Sequence, residues 1–119
     1  MTNYEKLCEI LAIKKLHECQ TYDECPLGLS NPCDICDCES YSLVFPDFTA
    51  KKQIEMIKLI ADITQQTIEI DKTGNYYNVQ TIEYSTPLET EFSEALAGLA
   101  LQLVEAGELD KEEAKRILE

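Results

Sequence analysis

The segment ALAGLALQLV, at residues 95–104, is the longest apolar-rich run of the chain, and only Gln102 within it is clearly polar. With Phe92 before it, the run places apolar side chains on nearly every side of a helix. Such a helix is either buried at the centre of a domain or covered by a second copy of the chain. We predict that a helix over residues 88–106 is the central core helix, with self-association through it as the alternative.

The segments on both sides of this run predict further helices and strands. The pattern of Thr2 and Glu5 is a capping box, which predicts a first helix to about residue 17. A strand is predicted over residues 41–45, and a helix capped by Asp47 or Thr49 should then reach about residue 65. A hairpin is predicted over residues 67–84, with a bulge near Gln80. It is followed by a helix that begins at Thr86-Pro87 and ends at Gly107, and by a last helix capped by Asp110. Residues 1–119 are therefore predicted to be one α+β domain. We expect a small antiparallel sheet of about three strands, including the hairpin, packed by three to four helices.

The charge of the chain limits its partners. Its 119 residues contain 23 Asp and Glu against 10 Lys and Arg, a formal net charge of −13. This surface repels phosphate backbones and anionic lipids, so we predict no direct nucleic-acid binding and no membrane binding. The N-terminus carries no signal-peptide pattern and the apolar run is too short to span a bilayer, which predicts a cytoplasmic protein. A basic surface on another protein is the expected partner.

Five of the six cysteines form a cysteine-rich loop between residues 19 and 38: Cys19, Cys25, Cys33, Cys36 and Cys38. In a reducing cytoplasm, clustered cysteines indicate metal ligands before disulfides. Four of the five would complete a tetrahedral zinc site, and the two-residue spacing of Cys33 and Cys36 delivers two ligands from one turn. We predict a structural zinc ion that staples this loop, with an iron–sulfur cluster and ordinary buried cysteines as alternatives. His17 is a further possible ligand.

The surroundings of these cysteines argue against catalysis. No Lys or Arg lies between Lys15 and Lys51, whereas seven acids do. A reactive cysteine needs a nearby cation or a helix N-terminus to lower its pKa, so a catalytic thiol is not expected here. The sixth cysteine, Cys8, falls on the apolar stripe of the first predicted helix and is expected in the core. Phosphate-binding loops, hydrolase elbows and zinc-deaminase spacings are absent from the sequence, and we predict a protein that is not an enzyme.

A second stretch without Lys or Arg runs over residues 73–110 and again contains seven acids. Such a stretch is commonly no more than a solvated surface. The alternative is that its carboxylates mimic phosphates and occupy a basic groove on a protein that handles nucleic acid.

Two segments carry a family resemblance. Cys25-Pro-Leu followed by the cysteine pair at Cys33 and Cys36 resembles the short cysteine clusters of small accessory proteins of bacterial phages and mobile elements. The block over residues 76–97 is similar to the strand-then-helix ending of such proteins. The resemblance implies a non-enzymatic accessory or regulatory role, including interference with a host defence. The sequence thus predicts an acidic, zinc-stapled accessory protein that acts by protein–protein binding, and the alternative is an iron–sulfur redox or electron-transfer protein.

Overall fold

The computed structural model describes residues 1–19 and 41–119, which form four helices and four strands. The helices are α1 (Asn3–Ile10), α2 (Ala50–Thr64), α3 (Phe92–Glu105) and α4 (Lys111–Leu118), and the strands are β1 (Leu16–Cys19), β2 (Tyr41–Val44), β3 (Glu69–Thr73) and β4 (Tyr76–Gln80). The strands pair antiparallel in two separate ladders, β1 with β2 and β3 with β4. The predicted α+β class is confirmed, with the strands divided between two ladders. None of the described helices is both long and apolar enough to cross a membrane.

Helix α3 lies at the centre of the core, as its sequence predicts. The six consecutive residues from Ala95 to Ala100 are buried, and so are Leu103 and Val104 one turn later. Helices α1 and α2 and strand β4 all contact α3. Burial on all sides over nearly two turns explains why this segment is apolar without a polar face.

Helix α1 packs closely against α3 at Gly98. An added Cβ on Gly98 would lie 2.9 Å from Asn3 Nδ2 and 3.3 Å from Thr86 Cγ2. The Asn3 amide cannot easily move away, because its Nδ2 donates to Glu94 O at 3.2 Å and to Glu89 Oε1 at 3.3 Å. Glycine at this position therefore sets how near the first turn of α1 comes to α3.

The predicted start of α3 at Thr86 is wrong, because the helix begins at Phe92. Residue Thr86 is buried, and its hydroxyl accepts from Val79 N at 3.3 Å and donates to Val79 O at 3.2 Å. Further along, Glu89 and Tyr77 exchange backbone hydrogen bonds of 2.6 and 2.9 Å. The segment before α3 thus runs beside β4 as extended chain, and the Thr86 hydroxyl bonds a strand and not a helix end.

Near Gln80 the alternation of apolar and polar residues shifts by one position, and the structure has a turn there. The predicted strand to residue 84 is therefore too long. Strand β4 ends at Gln80, and Thr81 N then donates to Tyr84 O at 2.7 Å. Ile82 at this turn is 87% exposed. The shift in alternation, which predicts a bulge, therefore comes from a reversal of the chain.

The capping box of α1 is confirmed, but the helix is shorter than predicted. Glu5 N donates to Thr2 Oγ1 at 3.1 Å, and the Glu5 side chain bonds back to the cap residue. The helix ends at Ile10, and Ala12 takes a positive φ of 56°. Ile13 N then donates to Cys8 O at 2.9 Å, and the chain leads into β1. The predicted extension to residue 17 is therefore wrong.

The other helix ends follow their local sequence patterns. Thr49 caps α2 and Asp110 caps α4, each through a side-chain oxygen that accepts from the first turn. Gly107 has a φ of 78° just after α3, as a helix-ending glycine does. The apolar face of α2 is only partly covered, since Met56 is fully buried whereas Ile54 is 54% exposed.

Substituting Gly98→Ala tests the close approach of α1 to α3. Alanine normally stabilises a helix interior by about 1 kcal/mol relative to glycine. Here we expect a net loss of about 1 kcal/mol in the free energy of unfolding, measured by urea denaturation, because the added methyl overlaps the Asn3 amide. The loss should be smaller in an Asn3→Ala background. A gain in stability from Gly98→Ala would show that the packing is looser than described.

Candidate functional site

The β1–β2 ladder brings together Cys19 and Tyr41, the residues on either side of positions 20–40. Its register pairs Leu16 with Val44 and Cys19 with Tyr41. Residues directly opposite in an antiparallel ladder have Cα atoms about 5 Å apart, so the chain leaves the ladder after Cys19 and returns to it at Tyr41 over that short span. His17, the further possible ligand, has its Cα opposite that of Leu43. The predicted ligand Cys19 thus lies at the base of the segment that contains the other four.

The remaining predicted ligands lie outside the described residues: Cys25, Cys33, Cys36 and Cys38. Within residues 1–19 and 41–119, no group of three or more His, Cys, Asp and Glu is arranged to hold a metal ion. The structure therefore places one of the five predicted ligands, and the zinc site stays a prediction.

The described side chains of the ladder lie outside the hydrophobic core cluster. Leu16, Leu43 and Val44, the ladder residues whose burial is described, are not members of the core cluster, and Leu43 is 54% exposed. The connection after β2 attaches to the body instead, since Phe45 and Phe48 pack against the core. The helices and the β3–β4 hairpin thus build a core without these ladder residues.

A cleft of about 580 Å³ opens beside the ladder, between the start of α1, the β2–α2 connection and the start of α3. Its described lining includes three aromatic side chains: Tyr4, Phe45 and Phe48. The Tyr4 and Phe48 rings stack with centroids 4.9 Å apart and an interplanar angle of 5°. Tyr4 is held in place because its hydroxyl donates to Pro46 O at 2.5 Å.

Among the described residues, four carboxylates also line this cleft, and they fall into two kinds. Glu94 accepts from Asn3 N at 2.8 Å and from Tyr4 N at 3.2 Å, so it caps α1 from α3, and Glu5 belongs to the capping box of α1. Asp47 and Glu91 are exposed, and the Glu91 side chain makes no cap hydrogen bond. The first pair of carboxylates holds the fold, and the second pair faces solvent.

One cation shares the cleft with these acids. Lys15 Nζ lies 4.9 Å from the centroid of the Phe45 ring, within the range of a cation–π interaction. The cleft as a whole therefore combines aromatic surface, solvent-facing carboxylates and one aromatic ring already in contact with a cation.

Sequence patterns do not reveal this cleft, because its walls come from three segments far apart in the chain. The one local signal is the run Phe45-Pro46-Asp47-Phe48, in which two aromatic residues flank a proline and an acid. From the sequence, these residues are predicted only to end a strand and begin a helix.

Cys8 is fully buried, which confirms it as a core residue. Burial raises the pKa of its thiol to about 11, and Tyr4 beside it has a raised pKa for the same main reason. Burial and a raised pKa both favour the protonated thiol, which is the less reactive form. Cys8 lies in α1, which ends at Ile10, whereas Cys19 lies in the next element, β1.

Thiol reactivity tests the burial of Cys8. We expect Cys8→Ala to leave the number of fast-reacting thiols unchanged in native, chelator-treated protein, because a buried protonated thiol does not react with a disulfide reagent. In denaturant the variant should show one reactive thiol fewer than the wild type. Loss of one fast thiol from the native protein would place Cys8 at the surface.

Comparison of the chain with protein-family models, with curated proteins and with solved structures gave no match. The resemblance to accessory proteins of phages and mobile elements therefore stays a prediction.

Proposed function

We propose that this chain is a non-enzymatic, acidic accessory protein that binds a basic surface of another protein. The observation that carries the proposal is the net charge of −13, together with carboxylates that face solvent at a cleft. Among the described residues, Asp47 and Glu91 at that cleft are exposed and are used by no helix cap. Such groups attract a basic partner and accelerate its association.

The favoured partner is a protein that handles nucleic acid, since its binding groove presents Lys and Arg to phosphates. Residues 73–110 contain no Lys or Arg, so a large part of the chain offers no repulsion to such a groove. An inhibitor of this kind would compete with nucleic acid for the groove. An accessory role in a phage or mobile element, including interference with a host defence, is part of the proposal. A cytoplasmic location is also part of the proposal.

Affinity capture tests this proposal. We expect the immobilised protein to retain basic, nucleic-acid-binding proteins from a bacterial lysate. It should release them as salt rises, because salt screens the acidic surface, and when duplex DNA is added, because DNA competes for the basic groove. A resin carrying an unrelated protein of similar size and isoelectric point is the control. Retention of the same proteins on both resins, or of no basic protein, contradicts the proposal.

We also propose that one structural zinc ion holds the cysteine-rich loop, with four ligands drawn from Cys19, Cys25, Cys33, Cys36 and Cys38. The support is their crowding within twenty residues and the β1–β2 register, which pairs Cys19 with Tyr41. Zinc would supply a fixed junction for a segment that has little apolar material of its own.

Metal analysis of freshly purified protein tests the zinc proposal. We expect one zinc per chain, a colourless solution, and about four thiols released on chelation, because four thiolates complete a tetrahedral site. Replacing Cys33→Ser should abolish stoichiometric zinc, whereas Cys8→Ala should keep it. A brown protein that contains iron would support the iron–sulfur alternative, and a metal-free protein with five reactive thiols would contradict both.

A further inference from the structure

We propose that the cleft between α1, the β2–α2 connection and α3 binds the arginine side chain of a basic segment on the partner. This inference rests on the proposed function, because it names the place where a basic surface is recognised. It goes further in assigning recognition to particular residues and to one side-chain chemistry.

The aromatic part of the cleft suits a cation. Tyr4 and Phe48 form a parallel stack, and Phe45 lies in the same lining with Lys15 Nζ at 4.9 Å from its centroid. The folded chain therefore already holds a cation against an aromatic ring of this cleft. The volume of about 580 Å³ is in the range of ordinary ligand pockets and exceeds what one side chain needs.

The carboxylates define the charge of the occupant. Glu94 and Glu5 are occupied by the N-terminus of α1, through Asn3 N, Tyr4 N and the Thr2 cap, although they still add negative potential. Asp47 and Glu91 are exposed and stand at the same cleft. Four carboxylates against Lys15 leave the described lining with an excess of three negative charges. A neutral apolar segment would desolvate these carboxylates without pairing them, which is unfavourable.

Arginine fits this combination better than lysine. Its planar guanidinium stacks on aromatic faces and donates in a fork that matches a carboxylate, and it is more weakly hydrated than an ammonium group. Lysine would meet the charge but would use the aromatic surface less well. We therefore expect arginine to bind more tightly than lysine, and an uncharged isostere to bind least.

Peptide titration of the ¹⁵N-labelled full chain, followed by NMR, tests the inference. The probes are acetyl-Gly-Gly-Arg-Gly-Gly-amide and the same peptide with lysine or with citrulline, which keeps the shape of arginine without its charge. We expect saturable shifts at the amides of Tyr4, Phe45 and Phe48 with the arginine peptide, at least threefold weaker binding with lysine and none with citrulline. Equal binding of the citrulline peptide would overturn the inference.

Paired variants separate the cleft from general charge attraction. The double change Asp47→Asn and Glu91→Gln should weaken arginine binding at least fivefold, since it removes the two solvent-facing carboxylates of the described lining. The matched change Asp71→Asn and Glu112→Gln alters the net charge equally on β3 and α4, and it should weaken binding less than twofold. Equal weakening by both pairs would overturn the inference.

The outcomes also distinguish this inference from the proposed function. Absence of arginine binding at the cleft, together with capture of a basic partner by the same protein, would reject the cleft and leave the proposed function standing. Cleft binding of the arginine peptide without any basic partner in the capture experiment would support the cleft and reject the broader function.

Discussion

The Glu94 carboxylate on α3 accepts from the backbone amides of Asn3 and Tyr4, and this interaction joins the first turn of the chain to its central helix. It requires α1 to approach α3 closely, which Gly98 permits because it has no side chain. The same joint places Tyr4 where its ring stacks on Phe48 and its hydroxyl reaches Pro46 O. One capped helix end therefore positions both the core contact of α1 and a wall of the cleft.

The parts of the fold that the sequence predicts well are those set within a few residues. The caps at Thr2, Thr49 and Asp110 each depend on a side chain and an amide two or three positions later, and the burial of α3 follows from an apolar run without a polar face. Thr86 shows the limit of such local reading. Thr86-Pro87 has the chemistry of a helix start, yet the Thr86 hydroxyl bonds Val79 in β4 because the chain returns alongside that strand.

The two candidate sites, the cysteine-rich loop and the cleft, also differ in how much of them the sequence predicts. Crowded cysteines are visible in the sequence, and the structure adds that Cys19 lies at the base of their segment opposite Tyr41. The cleft could not be predicted, because it needs the α1 end at Ile10, the turn at Ala12 and the late start of α3 at Phe92. None of these has a glycine or proline signal at the position itself. The start of α3 is displaced because the preceding chain bonds to β4, through Glu89 with Tyr77 and Thr86 with Val79.

We infer that the helical body is stable without the cysteine-rich loop, so that the proposed zinc ion would act only on that loop and its ladder. The direct measurement is amide hydrogen exchange before and after chelation, in the wild type and in Cys33→Ser. The account predicts that amides in α3, from Ala95 to Ala100, keep their protection, whereas those of β1 and β2 lose it. Parallel loss of protection in α3 and in the ladder would contradict it, because metal would then hold the whole domain together.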